Sequence, residues 1–157
     1  MEHLNEYYVA LGSNLGDKAE HLRWAVAYLE QRGAVTAKSA RFANSPEGFH
    51  SDNSFENAVV HWRTELNPEA ALAYVLQGES LRGRPQRADG EVWSDRPIDM
   101  DLLMWSGGGW KSDRLTLPHP RMQSRAFVMV PLMRIHPQGE KFVVPEGAEK
   151  LTEVGTL

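Results

Sequence analysis

Two aspartates stand two positions apart in the segment from Arg96 to Asp101, which reads RPIDMD. If this segment is a strand, Asp99 and Asp101 point to the same face, with Cα atoms roughly 6.5–7 Å apart. Two carboxylates this close repel each other unless a cation lies between them, and Mg²⁺ binds one or two protein carboxylates together with water and phosphate oxygens. Such a pair is also common by chance, so a magnesium site and a solvated strand face both remain open.

Arginines are concentrated just before this pair. Arg82, Arg84, Arg87 and Arg96 lie within fifteen positions, and the glycines and prolines between them argue against a charged helical face. An arginine loop beside two carboxylates suits polyphosphate transfer, because guanidinium groups bind phosphate oxygens in pairs while metal ions neutralise the bridging oxygens. An ordinary solvated loop is the alternative, and the pattern alone gives the two equal weight.

Two further residues are unusual for their positions. Glu79 falls on the apolar stripe of a predicted helix, seven residues after Leu72 and four after Val75. Its carboxylate therefore either lies at the edge of the core or accepts a hydrogen bond. His119 stands between two prolines, which restrict the backbone on both sides, so a stiff loop presents its ring. Taken singly, an outward-pointing Glu79 and an exposed His119 are the simpler interpretations.

Hydrophobic periodicity and start and stop signals predict the elements that position these side chains. The predicted strands cover 7–11, 35–42, 55–64 and 98–105, with a possible strand pair over 110–117. The predicted helices cover 17–33, 67–83 and 126–135, and loops cover 44–54 and 84–97. This order is roughly βαββαβ with additions at its C-terminal end. It predicts an α+β domain in which helices pack on one face of an antiparallel or mixed sheet.

Length and composition bound the class of protein. The chain has 157 residues, of which 41% are hydrophobic and 24% are charged, so one domain spanning 1–157 is expected. With 17 basic and 21 acidic residues the net charge is −4, which argues against a general nucleic-acid or anionic-membrane binder. The lack of cysteine excludes disulfides, thiolate-bound metals and a thiol nucleophile. Neither a membrane-spanning run nor a signal peptide is evident, so a cytoplasmic protein is expected.

Several motifs, taken in order, resemble the 6-hydroxymethyl-7,8-dihydropterin pyrophosphokinase family. They are A-L-G-S-N-L-G at 10–16, F-x-N-A-V at 55–59, G-R at 83–84, W-x-x-R-x-x-D-x-D at 93–101 and L-T-L-P-H-P-R-M at 115–122. The resemblance runs from Tyr8 to about Pro137, nearly the whole chain. It implies a ferredoxin-like α+β sandwich that transfers the pyrophosphoryl group of ATP to the hydroxymethyl oxygen of a reduced pterin and releases AMP.

The same resemblance implies a role for each candidate residue. Two Mg²⁺ ions would be bound by Asp99 and Asp101, and Arg84 and Arg96 would stabilise the transferring group. The residues expected around the nucleotide are Glu79, Trp93, Leu102, Thr116, His119 and Arg125. The residues expected around the pterin are Asn44, Ser45, Glu47, Phe55, Asn57 and Phe127, the two phenylalanines sandwiching the ring and Asn57 reading its polar edge. ATP is the expected co-substrate, neither nucleic acid nor membrane is an expected partner, and the expected assembly is a monomer.

Two departures from the family pattern keep an alternative open. Ser94 and Asp95 precede Arg96, where the family usually has a small residue and often proline. The segment 44–48 reads N-S-P-E-G, where the family usually has T-P-P-x-G. A non-catalytic paralogue that binds nucleotide or pterin on the same fold is therefore the alternative to an active enzyme. An RNA-binding ferredoxin-like domain is weaker, because the chain is acidic and lacks an aromatic RNP-type strand.

Overall fold

The computed structural model describes residues 4–44, 54–83 and 95–157, which form an antiparallel sheet with three α-helices. The helices are α1 (Lys18–Glu30), α2 (Pro68–Leu81) and α3 (Ala126–Ile135). The strands are β1 (Asn5–Ser13), β2 (Ala34–Lys38), β3 (Arg41–Asn44), β4 (Phe55–Thr64), β5 (Asp99–Trp105), β6 (Trp110–Lys111), β7 (Thr116–Leu117) and β8 (Thr152–Gly155). The predicted helices and the paired strands within 110–117 are confirmed, whereas β8 was not predicted.

The main sheet has the strand order β5-β1-β4-β3-β8, and β2 also pairs with β4. The predicted single strand over 35–42 is wrong, because β2 and β3 are separate strands. The break occurs at the buried Ser39, whose Oγ accepts the backbone N–H of Val59 at 2.9 Å. The Ser39 N–H in turn donates to the Val59 carbonyl at 2.9 Å. A side-chain oxygen thus replaces a backbone acceptor at this point of the ladder.

Local signals explain where both long helices begin. The Asp17 side chain caps α1 by accepting the Glu20 N–H at 3.1 Å, and the Asn67 side chain caps α2 by accepting the Ala70 N–H at 3.0 Å. Gly33 follows α1 with a φ of +140°, and a Cβ there would lie 1.9 Å from the Arg63 carbonyl oxygen. Only glycine therefore allows the chain to turn from α1 into β2 this close to β4.

Helices cover both faces of the sheet, which corrects the prediction of one covered face. The first core cluster joins α1 and α2 to Tyr7, Val9 and Leu11 of β1. The second cluster joins α3 to Val59 and Leu103, with Tyr8 and Ala10 of β1 packed against it. Neighbouring residues of β1 thus enter different clusters, because successive strand residues point to opposite faces. Within the described residues, no helix is long and apolar enough to cross a membrane.

Candidate active site

The two aspartates of β5 lie on the α3 face of the sheet. Asp99 and Asp101 are partly exposed, while Met100 and Leu102, with 1% and 3% exposure, enter the opposite cluster. The prediction that both carboxylates share one face is therefore confirmed. Asp99 pairs with Gly12 and Asp101 with Ala10 on the neighbouring strand β1.

Arg96 lies beside this pair and is almost fully buried, with 4% exposure. Its Nη1 is 3.4 Å from Asp99 Oδ2. The guanidinium carbon also lies over the Phe55 ring, 5.8 Å from the ring centroid. Arg96 therefore joins the carboxylates of β5 to an aromatic side chain of β4, and a cation in this place is well suited to binding phosphate oxygens.

Phe55 and Asn57 of β4 lie on the same face as the aspartates, and each is 6% exposed. Gly12 stands between Asp99 and Asn57 in the sheet register, so the aspartate and the amide are roughly 10 Å apart, two strand spacings. A Cβ on Gly12 would lie 2.8 Å from Asn57 Oδ1 and 3.7 Å from the Phe55 ring. Glycine is needed here because any side chain would displace the Asn57 amide.

A cavity of about 310 Å³ lies beside β5, between α2 and the segment that holds β7. This volume falls at the lower end of the range typical of small-molecule sites. The lining residues are Leu72, Leu76, Met100, Asp101, Leu102, Ser112, Asp113, Arg114, Leu115, Thr116, His119 and Pro120. The cavity thus brings together the predicted residues Asp101, Leu102, Thr116 and His119.

His119 is held so that one ring nitrogen remains a donor. Its backbone N–H donates to the Leu103 carbonyl at 2.8 Å, and its Nδ1 accepts the Arg121 backbone N–H at 3.1 Å. A neutral ring with Nδ1 as acceptor carries its proton on Nε2. Burial lowers the pKa of His119, the Asp101 carboxylate opposes this shift, and the Arg125 guanidinium adds to it. The ring is therefore neutral at neutral pH and offers an Nε2–H donor.

Glu79 is buried on α2 with 2% exposure, and its Oε2 accepts the backbone N–H of Met100 at 2.7 Å. Of the interpretations left open by its place on an apolar stripe, the hydrogen-bonded one is confirmed. The bond joins α2 to β5 between the two aspartates, so Glu79 fixes the strand that carries them.

Arg125 and Phe127 approach from the start of α3. Arg125 precedes the helix and is 9% exposed, and its guanidinium lies over the Phe127 ring at 5.7 Å. Phe127 is partly buried and packs against the second core cluster. Both residues thus belong to the face that carries Phe55 and the aspartates.

Of the other predicted residues, only Asn44 belongs to the described ranges. Asn44 is the last residue of β3 and pairs with Phe55 in the sheet. Ser45, Glu47, Arg84 and Trp93 lie outside the described residues.

Asn14 is not among the predicted site residues, yet it is 1% exposed and hydrogen-bonded to both Asp95 and Arg96. Its signal was present, because Asn14 belongs to the motif at 10–16 that carried the family resemblance. Leu72 and Leu76 also line the cavity, although their apolar spacing on α2 predicts only core positions.

The donor set of β5 fits a magnesium ion held partly by a substrate. Carboxylate oxygens are the ligands that Mg²⁺ prefers, and it commonly takes one or two from the protein. Within the described residues, no group of three or more histidine, cysteine, aspartate or glutamate side chains could hold a metal ion. Asp99 and Asp101 would supply two of the ligands, and water and phosphate oxygens the rest.

An acid pair, a buried arginine and a neighbouring cavity of ligand size are typical of a phosphoryl-transfer site. The model of the 7,8-dihydro-6-hydroxymethylpterin-pyrophosphokinase (HPPK) family matches residues 8–137. The chain belongs to this family, as its ordered motifs predicted.

Curated relatives cover most of the chain. A Bacillus subtilis protein named 2-amino-4-hydroxy-6-hydroxymethyldihydropteridine pyrophosphokinase is 39% identical over 139 residues, covering 87% of this chain and 81% of the relative. A Porphyromonas gingivalis protein of the same name is 42% identical over 132 residues, covering 83% of this chain and 90% of the relative.

Solved structures share the fold. An HPPK-DHPS structure in complex with substrates superimposes with a TM-score of 0.65 at 12% identity, covering 83% of this chain and 40% of that chain. Wild-type Plasmodium falciparum HPPK-DHPS gives a TM-score of 0.64 at 13% identity, covering 84% of this chain and 41% of that chain. This chain thus spans about two fifths of those longer chains and resembles that part in fold.

Proposed function

We propose that this protein transfers the pyrophosphoryl group of ATP to 6-hydroxymethyl-7,8-dihydropterin and releases AMP, a step of folate biosynthesis. One observation carries the proposal: the β5 carboxylates and the buried Arg96 lie between a cavity of ligand size and the Phe55–Asn57 pair. Membership of the HPPK family supports the same reaction. The two substrates would approach the carboxylates from opposite sides.

ATP would occupy the cavity beside β5. Leu72, Leu76 and Leu102 supply apolar walls for a flat base, and Thr116 and His119 supply polar groups. The Nε2–H of the neutral His119 ring can donate to a phosphate oxygen. We assign Glu79, Trp93 and Arg125 to the same nucleotide site. Glu79 acts there by fixing β5.

The reduced pterin would lie against β4. A flat heterocycle gains from aromatic faces on both sides, and we assign those faces to Phe55 and Phe127. The Asn57 amide offers a donor and an acceptor to the amide-like edge of the ring. Its position is set by Gly12, which leaves room for the amide oxygen. Asn44, Ser45 and Glu47 complete the proposed pterin site.

The chemistry needs no nucleophile from the protein. The pterin hydroxyl oxygen bonds to the β-phosphorus of ATP, the bond from that phosphorus to the α,β-bridging oxygen breaks, and the hydroxyl proton is lost. Asp99 and Asp101 would hold Mg²⁺, two ions in our proposal, which when bound neutralises charge on the phosphates. Arg96, and with it Arg84, would bind the transferring group while its charge redistributes.

We also propose a specific topology for the fold. The order β5-β1-β4-β2, with α1 after β1 and α2 after β4, supports a ferredoxin-like βαββαβ sandwich. A single pyrophosphokinase domain over 1–157, a monomeric state and a cytoplasmic location stay predictions.

The test is AMP release from ATP and Mg²⁺, with and without 6-hydroxymethyl-7,8-dihydropterin, resolved by nucleotide chromatography. We expect AMP only when the pterin is present, with the pyrophosphorylated pterin formed in equal amount. ADP in place of AMP would mean simple phosphoryl transfer and would overturn the proposal. Binding of ATP or pterin without turnover would also overturn it, in favour of a binding paralogue.

A further inference from the structure

We propose that Asn14 is a positioning residue of this site, which holds Arg96 in place through a side-chain clasp with Asp95. The inference rests on the proposed function. Asn14 takes no part in the reaction itself. Asp95, which departs from the family pattern, accepts its hydrogen bond.

The clasp consists of three hydrogen bonds from one residue. Asn14 Oδ1 accepts the Arg96 backbone N–H at 2.7 Å, and Asn14 Nδ2 donates to Asp95 Oδ1 at 2.6 Å. The Asn14 backbone N–H donates to the Arg96 carbonyl at 3.1 Å. Both polar ends of the amide are therefore engaged by consecutive residues, and a carboxamide is the side chain that supplies a donor and an acceptor together.

The anchor of the clasp is rigid. Asn14 follows directly after β1, a strand that pairs with β4 on one side and β5 on the other. Asn14 is 1% exposed and its neighbour Ser13 is fully buried. Because β1 is fixed by hydrogen bonds to two strands, Asn14 holds Asp95 and Arg96 at a fixed distance from the sheet.

The held residue is the one whose side chain reaches the carboxylates. The Arg96 guanidinium contacts Asp99 and lies over the Phe55 ring. Loss of the clasp would leave the Arg96 N–H without its Asn14 acceptor and would let its backbone shift. Because charge stabilisation depends on the placement of the cation, such a shift lowers the rate of the chemical step rather than the affinity for ATP.

The test compares Asn14→Ala, Asn14→Asp, Asp95→Asn and the double variant Asn14→Asp/Asp95→Asn. Asn5→Ala is the matched control, because Asn5 is also a buried asparagine and lies at the opposite end of β1, where it accepts a hydrogen bond from Trp105. The readouts are kcat, KM for ATP, thermal stability, and hydrogen–deuterium exchange of the Arg96 amide without substrates. Arg96→Ala gives the upper limit of the effect on kcat.

We expect Asn14→Ala to lower kcat roughly 10- to 100-fold, the scale of a misplaced reacting group, with KM for ATP little changed and Arg96 amide exchange faster. Asn14→Asp places two carboxylates face to face and should lose at least as much. Asp95→Asn keeps an acceptor and should be milder. The double variant reverses donor and acceptor across the clasp, so it should recover kcat and slow amide exchange relative to Asn14→Asp.

The inference is overturned if Asn14→Ala lowers kcat no more than Asn5→Ala of equal thermal stability, or if the double variant is no better than Asn14→Asp. Its failure can be told from failure of the proposed function. Wild-type protein that forms no AMP overturns the function and, with it, the catalytic role of the clasp. Amide exchange measured without substrates still reports whether the clasp exists.

Discussion

The two faces of the sheet are built from alternate residues of the same strands, yet they are covered to different extents. On one face, α1 and α2 bury Tyr7 and Trp62 completely. On the other, α3 covers Val59 and Leu103, while Asp99 and Asp101 near the start of β5 remain partly exposed. A single helix leaves part of a face open, and the open part carries the polar side chains.

The comparison is sharpest within β5 itself. Its residues alternate between a helix-covered core and a face with two carboxylates, so one strand serves stability and chemistry at once. Substitutions on the covered face away from the cavity should therefore change the free energy of unfolding, and substitutions of the two carboxylates should change turnover.

The largest expected effect is on the open face. Asp99→Asn and Asp101→Asn should each lower kcat about 100- to 1,000-fold, because each removes charge that stabilises the transferring phosphates. The folded structure should persist, since both side chains are partly exposed. AMP release at saturating Mg²⁺ and far-ultraviolet circular dichroism measure the two properties.

Glu65→Gln is the control, because it removes one negative charge at the far end of β4, where Glu65 pairs with Arg32 at the surface. Its kcat should equal that of the wild type. Wild-type turnover in both aspartate variants would refute the metal assignment and the separation of the two faces.

The next effect belongs to the covered face. Leu22 of α1 is fully buried, so Leu22→Ala should lower the free energy of unfolding by about 2–5 kcal/mol through lost burial and a cavity. Its kcat and KM should match the wild type at temperatures where the variant is folded. Urea-induced unfolding and AMP release are the measurements.

Leu81→Ala is the matched control, because Leu81 ends α2 with 64% exposure. The same deletion there should change stability by no more than about 0.5 kcal/mol. Equal losses in the two variants would mean that α1 does not cover the sheet as described.

The smallest effect concerns the part of the α3 face far from the carboxylates, where the rings of His61, Tyr8 and His136 pack together. Burial lowers the pKa of both histidines below the ordinary value of 6.5. For His61 the Glu6 carboxylate, 3.3 Å away, opposes this shift, while the Arg63 guanidinium adds to it. The folded state therefore favours the neutral rings.

Lowered histidine pKa values make the folded state less stable in acid. A folded-state pKa below the unfolded value means that the unfolded chain binds protons more readily, so stability is full above the unfolded pKa and falls as pH drops through it. Unfolding in urea between about pH 5 and pH 8 should show this acid-side loss, and His61→Gln should reduce its slope. His136, His21 and His119, whose pKa values burial also lowers, should leave a residual slope. An unchanged slope in His61→Gln would place His61 in a solvated setting.

Local patterns were enough for the helices and for most of the strands. The caps Asp17 and Asn67 and the apolar spacing of Leu22 and Leu29 predict helices, because both act within a few residues of chain. The alternation in β5 placed the two aspartates on one face for the same reason. The break at Ser39 was not predictable, since it depends on a hydrogen bond to Val59, twenty residues away.

By itself, the sequence determined the family, the helices, most of the strands and the placement of Asp99 and Asp101 on one face of β5. These features depend on local spacing and on ordered motifs. Only the tertiary structure decided that α3 covers the second face and that Glu79 accepts a hydrogen bond from the backbone of β5. It also decided that Asn14 forms hydrogen bonds with Asp95 and Arg96, which lie 81 and 82 positions further along the chain. Such contacts join residues that are distant in the chain. Their geometry is set by strand register and helix packing, which no local pattern records.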